Sequence, residues 1–186
     1  MWVLAGANGS GKSTFYRLML APSGIRWINA DDIARTLWPD DPEGHSYAAA
    51  AIAAERRDAC LGAGLDFATE TVFSHESKLA LLHNARAQGR HVTLIYIHLA
   101  SGELSVARVA QRVAEGGHAV PEAKIRTRRA RVLTLMGEAI RAADDAVILD
   151  NSDDEQPFRV LAKVAQGVVT QCADVLPLEV RSMLPS

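Results

Sequence analysis

One eight-residue segment near the amino terminus constrains the fold more than any other part of the chain. Residues 6–13 read G-A-N-G-S-G-K-S and match the pattern G-x-x-x-x-G-K-[ST] at every fixed position. An apolar run (1–5) precedes the segment, and a helix-like stretch (12–20) follows it. In this setting glycines let backbone N–H groups surround a phosphate at the positive end of a helix. The segment therefore predicts a strand, a phosphate-binding loop and a helix, with a nucleoside triphosphate as ligand.

This loop also predicts roles for individual side chains. We expect Lys12 to reach the β- and γ-phosphate oxygens and the Ser13 hydroxyl to ligate Mg²⁺. The dinucleotide pattern G-x-G-x-x-G does not fit, because the glycines fall at positions 6, 9 and 11. The residues expected to bind ATP and Mg²⁺ are Gly6, Asn8, Gly9, Ser10, Gly11, Lys12, Ser13 and Thr14.

Apolar runs alternate with helix-like stretches along most of the chain. The strand candidates are 1–5, 25–29, 65–68, 91–99 and 146–150, and the helix candidates are 12–20, 46–61, 74–88, 104–114 and 121–142. Ser74 is expected at an N-cap and Pro121 at a first helical position. This alternation predicts an α/β P-loop NTPase of the kinase type, with three α/β/α layers, a mainly parallel sheet of five or slightly more strands, and a helical lid.

The carboxyl-terminal part of the chain reads differently. Segments 158–165 and 168–171 flank Gln166-Gly167, which favours a hairpin, and 176–183 favours a short helix. We see no repeat, linker or second-domain boundary. We therefore expect one domain over 1–186 that starts at its first residue, with a lid at about 104–131 and the hairpin and helix at about 157–186.

Composition narrows the function classes further. The chain has 186 residues, 48% of them apolar, and its 20 Lys and Arg against 22 Asp and Glu give a formal charge of −2. This argues against a disordered chain and against general attraction to nucleic acid or anionic lipid. Two distant cysteines, Cys60 and Cys172, indicate neither a disulfide framework nor a zinc site. No apolar run is long enough to span a membrane, and we expect a cytoplasmic protein.

Carboxylates lie at the carboxyl ends of two of the predicted strands. One of Asp31 and Asp32 should face the γ-phosphate, where it could accept the proton of an attacking hydroxyl. The alternative is an Asp N-cap with a second Asp favoured by the helix dipole, and the residue types leave both readings open. Glu70 could orient Mg²⁺-bound water or hold a substrate hydroxyl, or it could be a solvated loop acid.

Basic residues cluster in the second half of the chain. Arg108 and Arg112 lie one helical turn apart, and a denser run follows at Lys124, Arg126, Arg128, Arg129 and Arg131. We expect one or two of this run to reach a phosphate and the others to form a solvated face. Residues 115–121 between the two groups favour a mobile loop that closes over ATP, in which His118 is a candidate phosphate contact.

Five sequence blocks together resemble the zeta-toxin family of P-loop kinases, in particular its compact branch, which is also labelled as predicted ABC-type ATPases. The blocks are A-G-A-N-G-S-G-K-S-T at 5–14, N-A-D-D-I-A at 29–34, E-T-V-F-S-H at 70–75, G-G-H-A-V-P at 116–121 and D-N-S at 150–152. The resemblance implies that Asp31 is the catalytic base and that Arg112 is a lid arginine on the phosphates. It also implies that Glu70, with Thr71 beside it, is at the substrate site. His118 stands where the family has a second lid arginine, and Arg128 would then supply that charge.

Zeta toxins phosphorylate the 3′-hydroxyl of the amino sugar in UDP-N-acetylglucosamine. The resemblance thus implies an ATP-dependent kinase for a small hydroxyl-bearing metabolite, such as a nucleotide sugar, with an antitoxin as a candidate protein partner. One alternative is an ATP-gated interaction module with no small-molecule acceptor. Another is a kinase for nucleic-acid ends; the basic run permits it, but the run lacks the interleaved aromatic residues that favour nucleic-acid binding.

Overall fold

The computed structural model describes residues 1–117 and 119–185. The strands are β1 (Trp2–Ala5), β2 (Arg26–Ile28), β3 (Phe67–Thr71), β4 (Thr93–His98), β5 (Asp145–Asp150), β6 (Arg159–Ala165) and β7 (Val168–Cys172). The helices are α1 (Lys12–Phe15), α2 (Ala30–Leu37), α3 (Ser46–Gly62), α4 (Ser77–Ala87), α5 (Gly102–Ala114), α6 (Glu122–Ala142) and α7 (Leu178–Arg181). A π-helical turn (Tyr16–Leu20) and a 3₁₀ turn (Ala21–Ser23) extend α1.

The described strands form a single seven-stranded sheet in the order β2-β3-β1-β4-β5-β6-β7. Strands β1 to β5 are parallel, and β6 and β7 add an antiparallel hairpin at one side. The predicted α/β class and mainly parallel sheet are therefore confirmed, with two more strands than the smallest expected number. Because parallel strands end at the same edge, the residues that follow β1, β2 and β3 are brought together there.

Side chains on the two faces of the sheet pack under different helices. In β1, Val3 and Ala5 join a large core that includes residues of α2, α3, α4 and α6. Leu4 points to the opposite face, where it packs with Phe15, Leu20 and other residues around α1. Neighbouring residues of one strand are thus buried on both faces, as expected for a parallel sheet covered by helices on each side.

Two helix starts that were expected from a particular residue are wrong, and one helix was not expected. Helix α4 begins at Ser77 rather than at a Ser74 cap. The chain turns at Phe73, which is completely buried at φ 61°, and His75 Nδ1 accepts the Ser77 N–H at 3.1 Å. Pro121 has an extended ψ of 136° and is the N-cap of α6, so the helix itself begins at the next residue. Helix α2 has no counterpart among the predicted helices.

Several other boundaries also move. The third strand begins and ends later than expected, and Glu70 lies one residue before its carboxyl end. The first α-helix gives way to the π-helical turn after Phe15, and the carboxyl-terminal helix spans only Leu178–Arg181. Helix α6 extends into the core, where Met136 and Ile140 are buried, so only its first turns can belong to a lid. No helix in the described ranges has both the length and the apolar character needed to cross a membrane.

Candidate active site

The loop between β1 and α1 takes its shape from glycines and from close packing. Gly6 and Gly11 have φ angles of 151° and 93°, which residues with a side chain rarely adopt. A Cβ atom on Gly6 would lie 2.6 Å from the carbonyl oxygen of Ile97, and one on Gly11 would lie 2.5 Å from Asn151 Nδ2. The loop thus fits against the ends of β4 and β5 only with glycine at these positions.

Lys12 folds back into the loop. Its side chain is 5% exposed, and its Nζ donates to the carbonyl oxygens of Gly6 (3.0 Å) and Ala7 (2.9 Å). The same nitrogen lies 3.8 Å from Glu70 Oε1. Burial lowers the pKa of Lys12, and the carboxylates of Glu70 and Asp31 oppose that change. The ammonium is therefore held at the loop by neutral carbonyls and a nearby acid.

Ser13, Glu70 and Asn29 form a connected group at the end of β3. Glu70 Oε2 accepts hydrogen bonds from Ser13 Oγ at 2.7 Å and from Asn29 Nδ2 at 3.2 Å. Hydroxyl and carboxylate oxygens are ligands that Mg²⁺ prefers, and Mg²⁺ commonly adds waters and substrate phosphates to one or two protein ligands. Within the described residues no cluster of three or more His, Cys, Asp or Glu could hold a metal alone. The donor set therefore fits Mg²⁺ that arrives with a nucleotide.

The two adjacent aspartates of α2 face different surroundings. Asn29 Oδ1 accepts the backbone N–H groups of Asp31 (2.7 Å) and Asp32 (3.4 Å), so the N-cap is Asn29, and the reading with an Asp cap is wrong. The Asp32 carboxylate accepts the indole N–H of Trp27 at 2.7 Å and pairs with Arg35. Asp31 is exposed and lines the central cavity. Of the two acids, Asp31 is thus the one on the cavity wall.

A cavity of about 380 Å³ lies at this edge of the sheet, within the size range of small-molecule sites. Predicted site residues on its wall are Asn8, Gly9, Lys12, Asp31, Glu70, Thr71, Arg112 and Arg128, with Lys124 beside them. His118 lies outside the described residues. The loop, three strand ends and the α5–α6 region therefore all meet at one space that carries charges of both signs.

Two further cavity residues were not predicted: Glu43, from the loop before α3, and Ser46, the first residue of α3. The rings of Trp38 and His45 stack there with centroids 4.7 Å apart, and Asp41 Oδ1 accepts the Gly44 N–H at 3.0 Å. These contacts fold the loop back toward the cavity. No sequence pattern marks Glu43 or Ser46 as site residues, since an isolated Glu in a loop and a Ser at a helix start are ordinary surface residues.

The basic run divides between structural and cavity positions. Arg126 pairs with Glu103 and Glu122, and Arg129 donates to the carbonyl oxygens of Leu99 and Ala100 and to Glu179. These two arginines therefore hold α6 to neighbouring elements. Lys124 and Arg128 lie one turn apart on the cavity wall, while Arg131 is exposed and does not line the cavity.

On α5, the two arginines likewise differ. Arg108 donates to the Asn151 carbonyl and to Asp154, which joins α5 to the loop after β5. Arg112, one turn later, lines the cavity.

Comparison with known proteins agrees with this architecture. Residues 1–135 match the AAA domain family AAA_33, and the chain belongs to that family. An uncharacterized protein of Haemophilus influenzae is 30% identical over 129 residues, which cover 66% of this chain and 91% of the relative.

Solved structures show the same fold at low sequence identity. The AvrRxo1-ORF1:AvrRxo1-ORF2 complex with ATP superposes with a TM-score of 0.64 at 17% identity, covering 100% of this chain and 63% of that chain. The PezAT chromosomal toxin–antitoxin system of Streptococcus pneumoniae gives 0.61 at 14% identity, covering 98% and 82%. A gluconokinase of Sinorhizobium meliloti gives 0.51 at 18% identity, covering 84% and 83%. The fold is that of the P-loop kinases, while the zeta-toxin branch stays a prediction.

Proposed function

We propose that this chain is an ATP-dependent phosphotransferase that moves the γ-phosphate of ATP to a hydroxyl group of a small metabolite. The observation that carries this proposal is that Asp31 and Lys12 line the same cavity, while the neighbouring Asp32 is bound to Trp27. A phosphate-binding lysine and a base on one cavity wall are what in-line transfer to a hydroxyl requires.

In this proposal the nucleotide phosphates are bound by the loop and by Lys12. Backbone N–H groups over residues 6–14 donate to the phosphates at the positive end of α1. Lys12 exchanges its bonds to the Gly6 and Ala7 carbonyls for charged phosphate oxygens, which are stronger acceptors. Arg112 and Arg128, on the same cavity wall, add charge near the transferred group.

Ser13 and Glu70 are the residues that would hold Mg²⁺. Ser13 would ligate the ion directly, and Glu70, which is bonded to Ser13, would orient its water. When bound, Mg²⁺ supplies positive charge to the β- and γ-phosphate oxygens. The contact with Ser13 supports this role for Glu70 over direct contact with the acceptor, which leaves Thr71 as the acceptor-side residue of β3.

The transfer step is a displacement at phosphorus. The Asp31 carboxylate accepts the proton of the acceptor hydroxyl as its oxygen bonds to the γ-phosphorus. The bond from that phosphorus to the β–γ bridging oxygen breaks, and ADP leaves. Lys12, Arg112 and Arg128 stabilise the charge on the transferred oxygens.

A nucleotide sugar such as UDP-N-acetylglucosamine is the acceptor that the resemblance to zeta toxins favours. Glu43, Ser46 and Thr71 add polar groups to the cavity near Asp31, which suits a hydroxyl-rich compound. His118 remains a candidate phosphate contact. An antitoxin partner, a cytoplasmic location and a single domain over 1–186 are further parts of the proposal, and the fold match to a toxin–antitoxin system supports the first of them.

Incubation with ATP, Mg²⁺ and UDP-N-acetylglucosamine tests the proposal, with glucose and gluconate as further acceptors. We expect phosphorus NMR to show a new phosphate ester in step with ADP, and Lys12→Ala to form none. Free phosphate as the sole product would instead favour an ATP-gated module. Transfer to oligonucleotide ends alone would favour a nucleic-acid kinase.

A further inference from the structure

Asn29 contacts both the backbone of Asp31 and the side chain of Glu70, the two acids that the proposed reaction needs. It occupies the turn from β2 to α2, and the residue is only 8% exposed. Its carboxamide oxygen accepts the N–H groups of Asp31 and Asp32, and its nitrogen donates to Glu70 Oε2 at 3.2 Å. One short side chain thus joins the amino-terminal end of α2 to the end of β3.

Each half of the carboxamide does separate physical work. The oxygen satisfies two of the N–H groups that a helix leaves without partners in its first turn, and so fixes the backbone that carries Asp31. The nitrogen binds the same Glu70 oxygen that Ser13 Oγ binds. Ser13 is also the proposed Mg²⁺ ligand, whereas the Asn29 amide nitrogen contacts Glu70 through this hydrogen bond.

The side chains that could replace Asn29 differ in whether they keep the cap of α2, the hydrogen bond to Glu70, or neither. Serine supplies an oxygen that can cap α2, but it is too short to reach Glu70 as well. Alanine keeps neither contact. Aspartate keeps the cap but brings a second carboxylate against Glu70, which raises the electrostatic cost of the pair.

We propose that Asn29 is a positioning residue that orients Glu70 for Mg²⁺ and Asp31 for the acceptor through one carboxamide. The inference rests on the proposed function. A residue that orients a metal-side carboxylate commonly changes metal affinity by about 10- to 100-fold when it is removed. The amino-terminal end of α2 has a second anchor in the bond from Trp27 Nε1 to Asp32, and Trp27 itself stacks on Tyr16 with centroids 3.8 Å apart.

The test compares Asn29→Ser, Asn29→Ala, Glu70→Gln and the double variant Asn29→Ser with Glu70→Gln. Trp27→Phe is the matched control, because it removes the second anchor of α2 without touching Glu70. Calorimetry measures the Kd of ATP with Mg²⁺ and with EDTA. Hydrogen exchange measures protection of the Asp31 and Asp32 amides. Neither readout requires turnover or a known acceptor.

We expect Asn29→Ser to retain protection of the Asp31 and Asp32 amides. Its affinity for ATP should fall by about 10-fold or more when Mg²⁺ is present and should change little when EDTA removes the ion. Asn29→Ala should lose amide protection as well. The double variant should bind ATP with Mg²⁺ only slightly more weakly than Glu70→Gln alone, because Asn29 acts through Glu70. In Trp27→Phe, Mg²⁺ should increase the affinity for ATP by the same factor as in the wild-type protein.

Two results would overturn the role of Asn29 alone. One is an Asn29→Ser protein in which Mg²⁺ increases the affinity for ATP as much as in the wild type. The other is a loss of binding free energy for ATP with Mg²⁺ in the double variant that equals the sum of the losses in the two single variants. Equal amide protection in Asn29→Ala and wild type would overturn the α2 half of the role. A wild-type protein that fails to bind ATP would instead overturn both the role and the proposed function.

Discussion

Asn151 Nδ2 donates a 3.0 Å hydrogen bond to the carbonyl oxygen of Ser10, so the residue that follows β5 holds the phosphate-binding loop by its backbone. Asn151 is 8% exposed, and its own N–H binds the His98 carbonyl at the end of β4. The shape of the loop therefore depends on a residue 141 positions away, in addition to its own glycines.

Asn151→Ala should destabilise the protein and weaken ATP binding together. The substitution leaves the buried Ser10 carbonyl without this donor, which typically costs about 1–3 kcal/mol in the free energy of unfolding. Urea denaturation and calorimetric titration with ATP measure the two effects. Asn84→Ala, at an exposed position on α4, is the control and should change neither. Equal effects of the two substitutions would contradict the anchoring role.

Gly117→Ala should lower the transfer rate by displacing Arg112. A Cβ atom on Gly117 would lie 2.6 Å from Arg112 Cγ and 2.8 Å from its carbonyl oxygen, so the arginine or the turn must move. We expect a loss in kcat of about 10-fold or more, since misplaced catalytic groups are costly. Gly62→Ala, where a Cβ meets nothing within 4 Å, is the control. A Gly117→Ala protein with wild-type kcat would show that this turn does not position Arg112.

Arg128→Ala should reduce transfer far more than Arg131→Ala. Both residues belong to the basic run, but Arg128 lines the cavity and Arg131 is exposed. Loss of one group that stabilises the transferring phosphate typically costs about 10²-fold in rate. Steady-state kinetics of both variants measures the difference. Similar rates would mean that the run acts only as a solvated helix face.

The stability of the protein should fall as the pH drops below about 6.5, because of His98. His98 is 1% exposed, and its Nε2 lacks a hydrogen-bond partner within the described part of the chain. Burial lowers the pKa of His98, while Glu179 and Asp150 oppose that change. The unfolded chain therefore takes up a proton before the folded chain does, so stability decreases through this window and levels off at the folded pKa.

Urea denaturation between pH 7 and pH 5 measures this effect, with a slope of up to about 1.4 kcal/mol per pH unit from one group. His98→Gln should flatten the dependence, and His83→Gln, at an exposed position on α4, should leave it unchanged. A wild-type slope in His98→Gln would assign the pH dependence to other groups.

Much of the cavity wall was predictable, because the carboxyl ends of parallel strands share one edge. The motif at 6–13 identifies the start of one strand–helix unit, and apolar alternation then predicts the others. Lys12 was expected from the motif, Glu70 and one of Asp31 and Asp32 from the strand ends. Asp31 in particular and Arg112 were expected from the resemblance to zeta toxins. Lys12, Asp31, Glu70 and Arg112 all line the cavity.

Features that depend on tertiary contacts were not predictable. The residue pattern left Asp31 and Asp32 open and only the resemblance selected Asp31, whereas the structure distinguishes them by the hydrogen bond from the indole N–H of Trp27 to Asp32. The orientation of the Asn29 side chain decides which residue caps α2. Glu43 reaches the cavity through a segment shaped by a ring stack. Ser74 has the residue type of a cap, but the buried turn at Phe73 moves the start of α4. Only at Ser74 does packing override a local preference; in the other cases the local sequence leaves the outcome open.

The rate of a single turnover with bound ATP and UDP-N-acetylglucosamine, compared between Asp31→Asn and Asp32→Asn, tests the central claim most directly. The account predicts that Asp31→Asn lowers transfer by about 10²- to 10⁴-fold while the Kd of ATP stays nearly unchanged, because only the base is lost. Asp32→Asn should transfer at close to the wild-type rate, since Asp32 is bound to Trp27 and not on the wall of the central cavity. Wild-type transfer by Asp31→Asn, or an equal loss in both variants, would contradict the assignment of Asp31 as the base.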